Sequence, residues 1–344
     1  MKAVILEGKR KLELKDVEAP SPNGKDTIIR LDKCGICGSD FHFLYDNGDA
    51  LKGMIMGHEF SGIVVDPGAN AEVKEGDRVT VVPSNACGVC ELCKSGATNA
   101  CATNFGQGLG VSTYYNGAYA EYIAVRPDTV IKLSDSVSML EASMAEPAAV
   151  GVHAVKRGRV SLGDKVLIIG AGIIGSVCAT FARKAGATYV ALIETNMEKA
   201  EKSLNFGDCD AIFDARDKDC IQKAIESNGG KQFDVVFECS GAGPAMNSAI
   251  QLTRPKGVIV LAGGNPELYQ IPLIQSVFAE HDILPIYGYT EKDFKIALEY
   301  IENKLIDVKK YATKIVRLEE VPDVFIDFFD NKLSDTKIVI DFSE

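Results

Sequence analysis

Four cysteines, Cys87, Cys90, Cys93 and Cys101, follow one another as C-x2-C-x2-C-x7-C inside a single loop. That spacing lets every sulfur reach one tetrahedral ion, and Zn2+ suits four thiolates without redox chemistry. Gly88 and Gly96 ease the backbone path, and a shell closed by protein alone is structural, so its binding energy counts toward folding. A second group is dispersed: residues 34–42 read CGICGSDFH and residues 57–59 read GHE. Taken alone, Cys34 and Cys37 form a redox-type C-x-x-C, but that motif belongs with a thioredoxin-like βαβ pattern, and this one lies in a β-rich stretch. A lone histidine is more commonly a hydrogen-bonded core residue than a ligand. A third feature is G-x-G-x-x-G. Gly170, Gly172 and Gly175 follow the apolar run KVLII and open a helical stretch through Ile173 and Ile174. In that context the motif cradles a dinucleotide pyrophosphate on a helix N-terminus. The run ALIET ends on Glu194, at the interval of about twenty residues where an acidic side chain holds the adenosine ribose. A carboxylate there repels a 2′-phosphate. Thr195, Asn196 and Met197 offer no arginine to compensate, although Lys199 lies near, so NAD is favoured over NADP. As a plain exposed helix cap, Glu194 would carry no such role.

Together CGICGSDFH, GHEFSG, the four-cysteine loop and GAGIIG resemble the zinc-dependent medium-chain alcohol dehydrogenase family, over nearly the whole chain. The resemblance implies that Cys37 and His58 ligate a catalytic zinc, that the third ligand is Glu146 in AEPAAVGVHAV, and that Glu59 sits beside the metal and exchanges with a bound water. Glutamate rather than cysteine at position 146 resembles the polyol branch, with sorbitol, butanediol and threonine dehydrogenases as relatives. Ser39 and His42 are implied to relay the alcohol proton to solvent; a turn hydroxyl and a surface histidine are the alternative. The donor chemistry agrees, because thiolate, imidazole and carboxylate leave a fourth tetrahedral position where an alcohol becomes acidic near neutral pH. Asp40 is a candidate acceptor for the other nitrogen of His58, fixing its tautomer, or else a turn residue satisfying its own backbone. The expected activity is hydride transfer between NAD and a secondary alcohol or its ketone, a polyol, diol or related hydroxy compound, with a hydroxysteroid or other bulky alcohol as the alternative. IYGYTEKDF carries no arginine where sorbitol dehydrogenases resemble one another in having one, which turns the expectation away from sorbitol itself. A zinc-free enone reductase of the same fold has no use for Cys37, His58 and the four-cysteine loop. A non-catalytic zinc- and NAD-binding protein has no need of Ser39, His42, Glu146 and Glu194 together.

Two architectures must position these residues. From Met1 to about Arg126, short apolar or alternating runs such as TIIRL, SGIVV and DRVTVV are punctuated by Gly, Pro, Asn and Asp, which predicts a mostly β region. From Lys165 onward, KVLIIG, YVALIE, DAIF, DVVFECSG, GVIVLAGG and ILPIYGY alternate with amphipathic stretches including GSVCATFARKAG and AMNSAIQLTRPKG. That alternation predicts a doubly wound parallel sheet. Leu140 to Arg157 reads as a joining helix, TEKDFKIALEYIENKL as another, and the tail ending in KIVIDF is expected to pack back onto the first region. The fold class is therefore α/β: a parallel Rossmann sheet binding NAD at 154–289 and, by the resemblance, a mostly β GroES-like catalytic domain at 1–153 and 290–344 holding both zinc sites, with the chemistry in a cleft. Tyr45, Phe105 and Tyr115 are candidates for an apolar wall there, or for core packing.

The 344 residues are 46% hydrophobic and 25% charged, ordinary for a globular protein. A net charge of −11 argues against nucleic-acid and membrane-surface partners, whose phosphates select basic faces. No apolar run approaches the roughly eighteen residues of a spanning helix, and Met1 to Pro20 lacks a signal-peptide pattern. A cytoplasmic location is expected, where thiols stay reduced; Cys178, Cys209, Cys220 and Cys239 then read as small buried hydrophobes. The resemblance implies a homodimer or homotetramer, built through a sheet edge in the GVIVLAGG to ILPIYGY region.

Overall fold

The computed structural model describes residues 1–264, 271–330 and 332–343, the side chains of 42–44 excepted. They form two compact units, one of Met1–Glu146, Thr290–Leu333 and the chain from Lys337 on, the other of Pro147–Tyr289 and Ser334–Thr336.

The first unit is organised around the strand Thr27–Ile36, whose β-branched and apolar residues suit a pleated surface buried on both sides. Along one edge it pairs antiparallel with Glu59–Asp66. Its other edge is shared: Tyr122–Val125 pairs with Thr27 to Arg30, and Lys337–Asp341 with Lys33 to Ile36. Outward from these lie Ala312–Val316 on one side and Arg78–Val81 and Val130–Lys132 on the other, seven strands in all. Register fixes the site. Gly35 stands opposite Glu59, so the residues that follow Ile36 and those that precede Glu59 emerge at the same end of the sheet, which brings Cys37 to His58. The core beside them is aromatic. Phe41 stacks on Phe328 with ring centroids 3.9 Å apart, and Tyr45 and Tyr119 meet Phe325 edge-on. Tyr45 is thus a core residue and not a wall of an open pocket, whereas Phe105 and Tyr115 are exposed.

In the second unit six parallel strands lie in the order Ala211–Asp214, Tyr189–Glu194, Lys165–Ile169, Phe233–Glu238, Thr253–Leu261, Asp282–Pro285. This is the doubly wound order, reversing between Lys165–Ile169 and Phe233–Glu238. Two helices differ from their sequence reading. AMNSAIQLTRPKG is helical only over Ala245–Leu252; at Thr253 the chain turns extended and begins a strand, because Pro255 has no N–H to continue a helix and disfavours helical backbone before it. Leu140 to Arg157 is two helices, Met139–Ser143 and Ala145–Arg157, broken at Met144. Among the described residues no helix is long and apolar enough to cross a membrane.

Candidate active site

Cys37, His58 and Glu59 each turn a ligand atom into one cluster, all within 4.8 Å of one another. Cys37 follows the strand Thr27–Ile36, His58 immediately precedes Glu59–Asp66, and Ser39, half-buried, stands just before the π-helical turn Asp40–Tyr45 without a side-chain capping bond. The cluster is largely withdrawn from solvent: His58 and Glu59 are buried and Cys37 half-buried. Burial is the largest influence on His58 and works to lower its pKa, yet the negative charges of Cys37, Asp40 and Glu146, with a hydrogen bond to Cys37, push it well above the ordinary histidine value. A buried pocket that gathers a thiol, an imidazole and a carboxylate within reach of one point has a place for a cation. Its donors, one thiolate, one imidazole and carboxylate, are those of a catalytic zinc site with a position left for substrate. Glu146 lies in the first turn of Ala145–Arg157; its charge acts on His58 and Lys337, but its oxygens are outside the 4.8 Å cluster. The side chain of His42 lies outside the described residues.

Two residues that no motif announced complete the surroundings. Lys337, 1% exposed, places Nζ 2.7 Å from both Oε1 and Oε2 of Glu59 and 2.9 Å from the Ile36 carbonyl oxygen. All three ammonium protons are used, and although burial pulls the Lys337 pKa down, the charges of Glu59 and Cys37 raise it on balance. Glu59 is thereby neutralised without a metal. Its sequence trace is a lysine placed directly before the apolar run IVI of the strand Lys337–Asp341. The other residue is Tyr119, fully buried, whose hydroxyl donates to Asp40 Oδ2 at 2.6 Å. Asp40 in turn faces His58, Oδ1 to Nδ1 3.7 Å.

The four-cysteine loop converges as its spacing requires. Cys87, Cys90, Cys93 and Cys101 bring their sulfurs within 4.8 Å of one another, with Cys87 Sγ and Cys93 Sγ 4.0 Å apart, near the roughly 3.8 Å edge of a tetrahedron with Zn–S bonds of about 2.3 Å. Backbone amides already solvate the sulfurs: Cys90 N donates to Cys87 Sγ at 3.3 Å, Cys93 N to Cys90 Sγ and Cys87 N to Cys101 Sγ at 3.4 Å. Amide donors from Val89 and Cys90 and the Thr103 hydroxyl draw the Cys87 thiol down to about 6, while burial pushes Cys93 up to about 12. An ion here would displace the proton that Cys93 holds most firmly.

In the second unit Gly170 has φ +104, and a Cβ on Gly175 would lie 1.9 Å from Gly170 O; these two glycines permit the turn and the close approach of helix to strand. Gly172 faces open space and ends the helix Ile173–Ala185 without a side-chain cap, leaving the first N–H groups, those of Ile173 and Ile174 among them, for an anionic ligand. Glu194 Oε2 accepts from Ala171 N at 2.7 Å, and Oε1 from Thr195 N and Asn196 N at 2.7 and 2.9 Å. It ties the acidic corner to the glycine turn rather than standing as a free surface cap.

Comparison with known proteins agrees in both units. Residues 23–135 match the Alcohol dehydrogenase GroES-like domain and residues 174–303 the Zinc-binding dehydrogenase family. The chain is similar to a sorbitol dehydrogenase of Pongo abelii, 32% identical with 95% of this chain and 92% of that protein covered. It is similar also to a D-xylulose reductase A of Aspergillus oryzae, 29% identical over 93% and 91%. Among solved structures it is similar to 2R,3R-butanediol dehydrogenase from Bacillus subtilis, with a TM-score of 0.85, 28% identity and 99% of each chain covered. With these matches running along nearly its whole length, the chain belongs to the polyol branch of the zinc-dependent medium-chain alcohol dehydrogenase family.

Proposed function

We propose that the chain interconverts a secondary alcohol of a polyol or vicinal diol and its ketone with NAD, at a zinc held by Cys37, His58 and Glu146. Glu146 is the third ligand by the family resemblance, and Glu59, whose two oxygens Lys337 engages, is the neighbour that exchanges with a bound water. The observation that carries the reading is the convergence of Cys37, Glu59 and the buried imidazole of His58 on one point, each offering a metal-ligand atom. When bound, the metal supplies Lewis acidity that lowers the pKa of an alcohol hydroxyl, and the nicotinamide supplies the hydride acceptor. Cys37 and His58 hold the charge, and the largely buried surroundings strengthen every electrostatic interaction there. Ser39, two residues from Cys37, accepts the hydroxyl proton and passes it toward His42. Gly170, Gly172 and Gly175 cradle the pyrophosphate, and Glu194 receives the ribose hydroxyls and repels a 2′-phosphate.

A homo-oligomer formed through the second unit belongs to the same proposal. The strand Asp282–Pro285 is the last of its sheet, and the helix before it, Leu273–Ala279, exposes Leu273, Ile274, Val277 and Phe278. A cytoplasmic location is proposed from the free thiols that the four-cysteine loop and Cys37 need as metal ligands.

Absorbance at 340 nm during incubation with NAD and a panel of polyols, diols, amino alcohols and hydroxysteroids tests the reaction. Growth of signal with vicinal hydroxyl compounds, abolished in Cys37→Ser and Glu146→Ala, is the expected result. Turnover that survives Cys37→Ser would sink the metal-based mechanism.

A further inference from the structure

The segment Gly117–Tyr119 is fastened along the stretch that ends in His58. Gly117 N donates to Ile55 O at 2.8 Å, Ala118 N to Gly57 O and Tyr119 N to Met56 O at 2.9 Å. The Tyr119 ring lies against Gly57, where φ is +98 and a Cβ would fall 2.5 Å from ring carbon Cδ1. A side chain on residue 57 would push the tyrosine away, so the glycine of the GHE motif serves the ring as well as the turn. From this seat the Tyr119 hydroxyl crosses to Asp40. It donates to Oδ2 at 2.6 Å, and Cys37 N donates to the same oxygen at 3.0 Å. One carboxylate oxygen thus takes two donors, which fixes the rotation of the group. The other, Oδ1, is left 3.7 Å from His58 Nδ1, and neither of these two buried atoms has a hydrogen-bond partner among the described residues.

We propose that Tyr119 is a positioning residue of the metal site: its hydroxyl orients Asp40 so that Oδ1 accepts the Nδ1 proton of His58, leaving the opposite ring nitrogen for the ion. The inference rests on the zinc-dependent reading above. Its chemistry is that of a chain of donors running phenol, carboxylate, imidazole, in which each partner fixes the tautomer or rotation of the next. A phenylalanine would fill the same space against Gly57 and Phe325 but leave Asp40 Oδ2 with the Cys37 amide alone, free to turn.

The test counts and ranks zinc equivalents by competition with a chromophoric chelator, on whole protein. Wild type is expected to hold two, and Cys37→Ser to lose one; this establishes the underlying site whatever Tyr119 does, and a wild type holding a single equivalent overturns site and inference together. Tyr119→Phe is expected to bind one equivalent about 10- to 100-fold more weakly while the four-cysteine equivalent stays as in wild type, an internal check that the fold is intact. Asp40→Asn should show a loss of similar size, and the double variant no more than the larger single loss, because both act through His58. Tyr119→Phe with wild-type affinity at both sites, or losses that add in the double variant, would overturn the positioning role.

Discussion

At the scale of single residues, the Glu59–Lys337 pair is the most exacting feature of the site. Both side chains are 1% exposed, and a buried ion pair broken on one side leaves a charge with no solvent. Lys337→Met is therefore expected to destabilise the fold by about 3–5 kcal/mol, and Glu59→Gln added to it to recover part of that loss; urea midpoints of the three variants check it, and additive losses would count against a direct pair. The four-cysteine loop was legible because its spacing carries its chemistry, and Cys37, His58 and Glu194 stand in short motifs, whereas Glu146 was named only through the family resemblance. Lys337 and Tyr119 could not be read from the sequence. They reach Glu59 and Asp40 through pairing partners 278 and 79 residues away along the chain, and a lysine at a strand start or a tyrosine in GAYAEY carries no local signal.

Among the elements, the break at Met144 has a counterpart in charge. Ser138 caps the short helix Met139–Ser143 in a capping box with Glu141, whose Oε2 accepts from Ser138 N at 2.8 Å while Oε1 accepts from Lys304 Nζ, also at 2.8 Å. Burial alone would raise the Glu141 carboxyl, but Lys304 and the Ser138 N–H and hydroxyl hold it at about 2. With the folded value below the unfolded one, the stabilisation is complete above about 4.5 and fades as pH falls toward 2. Glu141→Gln should thus cost about 1–3 kcal/mol at pH 7 and progressively less below pH 4.5; a gap in urea midpoint that stays constant to pH 3 would contradict this. Periodicity marked the strands of the second unit because the inner ones, such as Lys165–Ile169 and Phe233–Glu238, are buried along most of their length and all alternate with helices. It missed the stop at Thr253 because the apolar spacing of AMNSAIQL runs on without interruption, and the proline that ends helical backbone comes two residues later.

For the molecule as a whole, the proposed homo-oligomer would bury the apolar face of Leu273–Ala279. Phe278 is 83% and Val277 65% exposed, a cost in water that isolated chains seldom carry over adjacent residues. Val277→Lys with Phe278→Glu is expected to lower the mass measured by light scattering to that of one chain; an unchanged mass would place the interface elsewhere. The β-rich character of the first unit was legible from its turn residues, but its strand order was not, since the strand Lys337–Asp341 enters beside Thr27–Ile36 from the far end of the sequence. That insertion bears on how the protein is made. The four cysteines form a local loop and can take up their ion soon after leaving the ribosome. Half of one edge of the hub strand, however, waits for a partner synthesised some three hundred residues later, and until it arrives Glu59 has no ammonium beside it. On a nascent chain the ligands of the loop are therefore complete some two hundred and thirty residues before Glu59 meets its partner Lys337.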